Sequence, residues 1–232
     1  MRGRDDRGAQ SAATPVPERY AGTMTVAGII LAGGRSTRMG TPKAHLEWHG
    51  STLLGHAVGI VRRSVDGPVV VVRAPGQVLP PLSADVRIVD DHPAGAGPLN
   101  ALATGLEALD GHADVAVVCG VDTPMLTPAF VAVLVQALTT EVDVTVPRVG
   151  DRRHPIPAVV RVAVHPIARA LVDDGQRALF ALADACRWVE VDEGPLRAAD
   201  PSLASLRNLN QPREYEAARA EPRSGPRDRI RI

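Results

Sequence analysis

Short apolar runs alternate with stretches of helical spacing along most of the chain. Val26–Leu31 is an unbroken apolar run that meets Gly33 and Gly34, the pattern of a buried strand entering a loop. Residues 52–65 set Leu53, Leu54, Ala57, Val58 and Val61 on one helical face. Strands are predicted at 69–72, before the breaker pair Pro75-Gly76, and at 86–89, before Asp90-Asp91. A helix over Pro98–Leu109 precedes a fourth strand at 115–119. Thr127-Pro128 predicts a helix start, with Thr supplying the N-cap oxygen and Pro the first helical position, and the helix runs to about Leu138. Further strands are predicted at 142–146 and at 156–162; Pro157 assigns the latter to a sheet edge or a bulge. Helices at 166–172 and 178–185, strands at Trp188–Val191 and 206–208, and a helix at 212–219 complete the pattern. Such alternation predicts an α/β fold: a doubly wound, mostly parallel sheet with helices on both faces, its ligands at the carboxyl ends of the strands.

Composition narrows the class. Hydrophobic content is 45% with only 3% aromatic, the Ala/Val/Leu/Ile stock of a buried parallel sheet. The 232 residues suffice for one large α/β domain or two small ones. Residues 1–23 are polar and rich in Arg, Pro, Gly and Ser, and read as a disordered leader; 24–220 read as the folded domain, and 221–232 as a disordered tail. The leader lacks the apolar stretch of a signal peptide, and no apolar run approaches the roughly 18 residues of a membrane span. Cys119 and Cys186 are too few for a disulfide framework and read as buried thiols in a reducing, cytoplasmic compartment. Lys+Arg and Asp+Glu balance at 26 each, which argues against a nucleic-acid platform and against a polybasic membrane surface. Of the 26 basic residues only Lys43 is lysine.

That lysine closes the densest chemical signal, LAGGRSTRMGTPK at 31–43. Adjacent glycines let the backbone turn sharply and offer N–H groups to an anion, while Arg35, Ser36, Thr37, Arg38 and Lys43 add hydroxyls and positive charge. The combination suits a polyphosphate; the competing reading is an ordinary βα turn with bystander arginines. It is neither a P-loop, because Thr41-Pro42 follows Gly40, nor a dinucleotide fingerprint, which needs three spaced glycines. Asp122, beyond the strand at 115–119, is placed to hold a divalent cation and its phosphate ligands; the alternative is a helix cap, a task Thr127 already fills. In VDDHPAGAGPLN at 89–100, Asp91 could hydrogen-bond a base or ribose and Gly97-Pro98 could admit a ligand to the helix start, or the segment is a plain polar turn. His154 reads either as an anion contact or as a solvated loop histidine. Asn208 and Asn210, flanking Leu209 on the predicted strand, share a face and could complete a metal shell, though caps and turns use Asn more commonly.

With these residues in view, the chain resembles the molybdenum cofactor guanylyltransferases of the MobA-like nucleotidyltransferase superfamily over about residues 25–219. LAGGRSTRMGTPK resembles the family's signature loop, DHPAGAGPL its acidic residue followed by Gly-Pro-Leu, and VDTPML its Asp-x-Pro metal segment. RRHPIPAVV resembles the His-Pro strand entry, DDGQRALFALADA the Gly-x-Arg helix, and LRNLNQPREYEAA the Asn-x-Asn-x-Pro ending. Three positions depart from the pattern. Arg73 or Ala74 stands where some members carry an Asn, Asn100 where the family often has Gly, and Gln211 where it has Thr.

The resemblance implies a Rossmann-like nucleotidyltransferase fold and transfer of GMP from GTP to the phosphate of molybdopterin. In that reading Leu31, Ala32, Gly33 and Gly34 line the guanosine site, Asp91 meets the nucleoside beside Gly97, Lys43 meets the triphosphate and Asp122 carries Mg²⁺. Arg38 is added as a phosphate ligand from its place in the loop. Partners would be GTP, molybdopterin and other cofactor-biosynthesis or molybdoenzyme-maturation proteins. A molybdopterin cytidylyltransferase, a guanylyltransferase of another phosphorylated acceptor, and a non-catalytic nucleotide-binding homologue are the alternatives.

Overall fold

The computed structural model describes residues 24–33, 42–93 and 95–221; the leader, the tail beyond Glu221, Ala94 and the loop residues Gly34 to Thr41, Gly34 and Arg38 included, lie outside them. Its strands are β1 (Val26–Leu31), β2 (Glu47–Trp48), β3 (Ser51–Thr52), β4 (Val69–Arg73), β5 (Val86–Asp90), β6 (Val115–Gly120), β7 (Val144–Val149), β8 (Arg152–Arg153), β9 (Ala158–Arg161) and β10 (Trp188–Val191). The main sheet runs β10-β7-β9-β6-β1-β4-β5, with β8 paired to β7 alone, and β2 and β3 form a separate hairpin. All neighbours along the main sheet pair in parallel except at β9, which runs antiparallel to both β6 and β7. The doubly wound, mostly parallel reading of the sequence therefore holds.

Strand alternation divides the core in two. Val26 and Ile30 of β1, with Val69, Val71, Val115 and Val117, face one layer. Its helices are α1 (Leu53–Ser64), α3 (Pro128–Gln136), α6 (Glu193–Ala199) and α7 (Pro212–Ala220). Ala27, Ile29 and Leu31 face the opposite layer, with α2 (Pro98–Leu109), α4 (His165–Asp173) and α5 (Phe180–Ala185). Every residue of β1 and β6 is buried, as expected of strands covered on both faces. Order reverses beside β1: β4 and β5 lie on one side, and the chain then returns through α2 to β6 on the other. That switch point lies at the carboxyl ends of β1 and β6, where sheets of this kind place the crevice that binds their ligands.

Two expectations are corrected. The strand at 156–162 lies between β6 and β7 rather than at an edge. It begins only at Ala158, paired with Val118, so the missing N–H of Pro157 removes no ladder bond. The strand at 206–208 is instead the end of a 3₁₀ turn, Ala204–Leu206. The Asp200 carboxylate curls this segment by accepting the Ser205 N–H at 2.8 Å and the Ser202 hydroxyl at 2.9 Å. Three short elements also escape the pattern: α6, β8, and the hairpin of β2 and β3. The hairpin turns on His49 and Gly50, both at positive φ (48° and 87°). Cys119 is buried, its thiol pushed up to about 12 by burial and then by the Asp122 charge, whereas Cys186 is only partly buried. No described helix is long and apolar enough to cross a membrane.

Close helix approach fixes β1 from both sides. A Cβ on Gly28 would run into Val61 of α1, and one on Gly105 of α2 would lie 2.8 Å from Ile29 Cγ2. Gly28→Ala is expected to cost about 1–3 kcal/mol in urea unfolding, the range for over-packing a tight core. A Gly28→Ala/Val61→Ala chain should then be less destabilised than the sum of the single changes, because the second removes the obstructing methyl.

Candidate active site

Lys43 begins a 3₁₀ turn, Lys43–His45, whose buried Ala44 and a following hairpin anchor it. Trp48 of that hairpin is buried against His56 of α1 and Tyr215 of α7, with ring centroids 6.1 and 6.2 Å away. The Tyr215 hydroxyl donates to the Glu47 carbonyl, and the Leu53 N–H to the Leu46 carbonyl at 2.8 Å. The ammonium is thus delivered by a firmly anchored segment.

Asp122 reaches the same place from β6. Leu31 and Gly120 are register partners, so the two strands finish level. Gly120 leaves room for this placement: a Cβ there would displace the Asp122 carboxylate from its present position. The Thr123 hydroxyl closes the turn on the Gly120 carbonyl at 2.9 Å. Lys43 Nζ then donates to Asp122 Oδ2 at 2.9 Å and to Asn210 Oδ1 at 2.8 Å. Asn210 arrives on an extended segment that Leu209 pins twice, by its buried side chain and by donating its N–H to the Asp122 carbonyl at 2.9 Å. Glu214 of α7 accepts the N–H groups of both Asn210 and Gln211, at 2.8 and 2.9 Å. Only 17% of the Lys43 and 22% of the Asp122 side-chain surface is exposed, so the pair is far less screened than a surface ion pair. Asn208 is exposed and has no hydrogen bond among the described contacts; of the two asparagines, the structure brings Asn210 to the lysine.

The remaining candidates occupy four other positions. Ala32 and Gly33 continue β1, both donating to the Val72 carbonyl at 2.8 and 3.2 Å, while the Leu31 carbonyl accepts from Val121. Gly97, at φ 101°, does admit a close approach, but Arg177 of this same chain makes it: a Cβ on Gly97 would lie 2.9 Å from Arg177 Cβ, and Leu99 donates to the Arg177 carbonyl. With Pro98 lacking a donor, the start of α2 is less open to an anion than its sequence implies. His154 lies in the connection from β8 to β9; burial and then the Arg152 charge lower its pKa. At pH 7 it offers an anion a hydrogen bond rather than a charge. Asp91, buried at the end of β5, has its pKa raised by burial, against the opposing pull of Asn100, Arg169 and His92.

Gln77, Asn100 and Arg169 escaped the reading of the sequence. Arg73 is occupied by Asp90 at 2.7 Å, and it is the Gln77 amide that reaches the Ala32 carbonyl, at 3.1 Å. Asn100 was visible as a departure from the family pattern and as a lone amide in the apolar start of α2. Arg169, among many arginines on a helix, carries no such signal.

A divalent ion fits this donor set in one form only. No cluster of three or more His, Cys, Asp or Glu stands ready among the described residues. Mg²⁺ that arrives on a nucleotide, however, keeps most of its waters and phosphate oxygens and needs only a carboxylate or two from the protein. Asp122, with the neutral carbonyl of Asn210 beside it, matches that requirement.

Comparison with known proteins places the geometry in a family. The MobA-like NTP transferase domain matches residues 28–189. A probable molybdenum cofactor guanylyltransferase of Mycobacterium avium (strain 104) is 39% identical over 199 residues, covering 83% of this chain and 99% of that protein. A protein of the same name from Mycobacterium marinum is 40% identical over 185 residues, 77% of this chain and 90% of its own. Among solved structures, molybdopterin-guanine dinucleotide biosynthesis protein A from Archaeoglobus fulgidus superposes with a TM-score of 0.69 at 18% identity, covering 83% and 96% of the two chains. The 2-C-methyl-D-erythritol 4-phosphate cytidylyltransferase of Thermus thermophilus does so with a TM-score of 0.63 at 23% identity, covering 85% and 98%. These two show a shared fold. With a switch-point crevice holding a lysine, a carboxylate and an amide, and with most of its length matched, the chain belongs to the MobA-like NTP transferase family of nucleotidyltransferases.

Proposed function

We propose that the protein transfers GMP from GTP to the terminal phosphate of molybdopterin, releasing pyrophosphate. The observation that carries this reading is the convergence of Lys43, Asp122 and Asn210, from three distant parts of the chain, at the carboxyl ends of β1 and β6. The names of the relatives that match most of this chain support the choice of base and acceptor. An acceptor phosphate oxygen attacks the α-phosphorus of GTP, the bond to the bridging oxygen of the β-phosphate breaks, and pyrophosphate leaves with that oxygen. The nucleophile is already anionic, so no general base is needed. Bringing two anions together and accommodating charge on the leaving group is the difficulty, and it is electrostatic.

Lys43 supplies the positive charge. Its ammonium is held between a carboxylate and an amide carbonyl, so its position is set before substrate arrives. Arg38, from the same loop, is assigned to a phosphate oxygen; Leu31, Ala32, Gly33 and Gly34 are assigned to the guanosine, and Asp91 to its nucleoside donors, whereas Gly97 is already packed against Arg177. Asp122, with Asn210, would hold Mg²⁺, which when bound with the triphosphate offsets charge on the departing pyrophosphate. On this reading the enzyme works in the cytoplasm, with GTP and molybdopterin as its small-molecule partners and cofactor-biosynthesis or molybdoenzyme-maturation proteins around it.

The test is pyrophosphate release from GTP or CTP, each with molybdopterin and with a panel of other phosphorylated acceptors. Release with GTP and molybdopterin is expected. Preference for CTP or for another acceptor would move the activity within the family, and no release with any pair would leave a nucleotide-binding homologue. Asp122→Ala should lower kcat by at least about a hundredfold, the loss typical of one preorganised electrostatic contact, while the thermal unfolding transition remains cooperative. Near-full Mg²⁺-dependent activity in that variant would remove Asp122 from the metal role. Lys43→Arg keeps the charge, but a planar fork is a poor fit where a point charge bridges two oxygens at 2.8–2.9 Å. It should lower kcat/KM at least about tenfold, an effect of roughly 1.4 kcal/mol. Steady-state kinetics with GTP reads that change directly.

A further inference from the structure

Asn100 is fully buried in the first turn of α2, among Leu99, Ala101, Leu102 and Ala103. A buried amide in an apolar stripe is costly unless its donors and acceptor are used. Here all three are. Asn100 Nδ2 donates to Asp91 Oδ1 and, at 3.0 Å, to the His92 carbonyl, while Asn100 Oδ1 accepts from Arg169 Nη1 at 2.8 Å. The amide can face only one way, since a guanidinium only donates and a carbonyl only accepts. Arg169, on α4, is itself held by Glu107: its Nε and Nη2 donate to the two carboxylate oxygens at 2.7 and 2.8 Å. The result is a chain of contacts, Glu107–Arg169–Asn100–Asp91, that runs from α2 to α4 and back through the first turn of α2 to the end of β5.

The direction of this chain matters. The Arg169 cation polarises the Asn100 amide and strengthens its N–H as a donor to the carboxylate beyond it. Burial opposes ionisation of Asp91, and the amide and the cation oppose burial. Asp91 Oδ1 is thereby fixed, while Oδ2 accepts no hydrogen bond among the described contacts. An oriented carboxylate with one oxygen in reserve is an acceptor for an N–H or O–H donor, which the nucleoside of GTP provides.

We infer that Asn100 and Arg169 are positioning residues for the nucleotide: they hold the Asp91 carboxyl group in one orientation so that its second oxygen can accept a donor from the nucleoside. The inference rests on the GTP reading above. It also reverses the sense of the Asn100 departure, which becomes a device of this chain rather than a loss of a family feature.

A double-mutant cycle tests it, with GTP affinity measured at equilibrium and turnover measured on the same preparations. Asn100→Leu, close in volume but without the amide, should weaken GTP binding and raise its KM about tenfold while kcat stays within about threefold. Arg169→Met should act in the same direction with a smaller factor. In an Asp91→Asn background, Asn100→Leu should add less than about twofold, because the carboxylate it serves is gone. A tenfold loss that persists in the Asp91→Asn background, or unchanged GTP affinity in Asn100→Leu, would overturn the positioning role. If Asn100→Leu lacks a cooperative unfolding transition, the same cycle run with Arg169→Met decides the matter. Wild-type protein that binds GTP but turns nothing over would unseat the proposed reaction and leave the affinity cycle valid. Wild-type protein that fails to bind GTP would overturn both.

Discussion

The parallel pairing of β1 with β6 is the constraint on which the site depends. Six consecutive register partners, from Val26 with Val115 to Leu31 with Gly120, bring both strands to their ends at the same level. A slip of one residue would turn the side chains of β6 to the opposite layers, because strand faces alternate. It would also part Asp122 from Lys43. Small residues allow close packing around this pair: Gly28 lets α1 close on β1, Gly105 lets α2 close on its other face, and Gly120 leaves room for the Asp122 carboxylate. Chemistry at the crevice is therefore underwritten by missing side chains in the sheet and its flanking helices.

Charge is arranged on two scales. Several arginines are matched to acids on the surface, as Arg62 is to Asp85 and Arg207 to Glu221, with side chains near half-exposed. Such pairs contribute little to stability and screen readily in salt. The Lys43–Asp122 pair and the Asp91–Asn100–Arg169 chain lie in less exposed surroundings, where orientation counts for more than net charge. A chain with formal net charge zero can thus keep a strongly polar crevice without presenting a broadly basic face.

Much of this was legible from residue order, and the limits have physical causes. Strands buried on both faces announce themselves as apolar runs, and the bounds of β1 are met to the residue. The α2 helix is met as well, because Gly97 and Pro98 mark its start. Asp122 and Lys43 were legible because each follows a strand at the end where ligands bind. The place of β9 was not: Pro157 suggests an edge, and nothing local shows that the strand begins one residue later. The turn at 204–206 was missed because a side-chain carboxylate, Asp200, overrides the backbone preference there. Arg169 was invisible for a different reason. Its meaning lies wholly in contacts with α2, 62 to 69 residues away in sequence, and no local pattern records such a distance.

Asn210 reaches Lys43 across 167 residues of chain. On a ribosome, the lysine and Asp122 emerge well before the amide that completes their arrangement. A nascent chain can therefore assemble β1, β4, β5, β6 and much of both flanking layers around them while the crevice still lacks one of its three converging groups. The last piece comes with Leu209, which docks on the Asp122 carbonyl and carries its neighbour into place. Completion of the crevice in this sense follows formation of the sheet and is tied to the docking of α7.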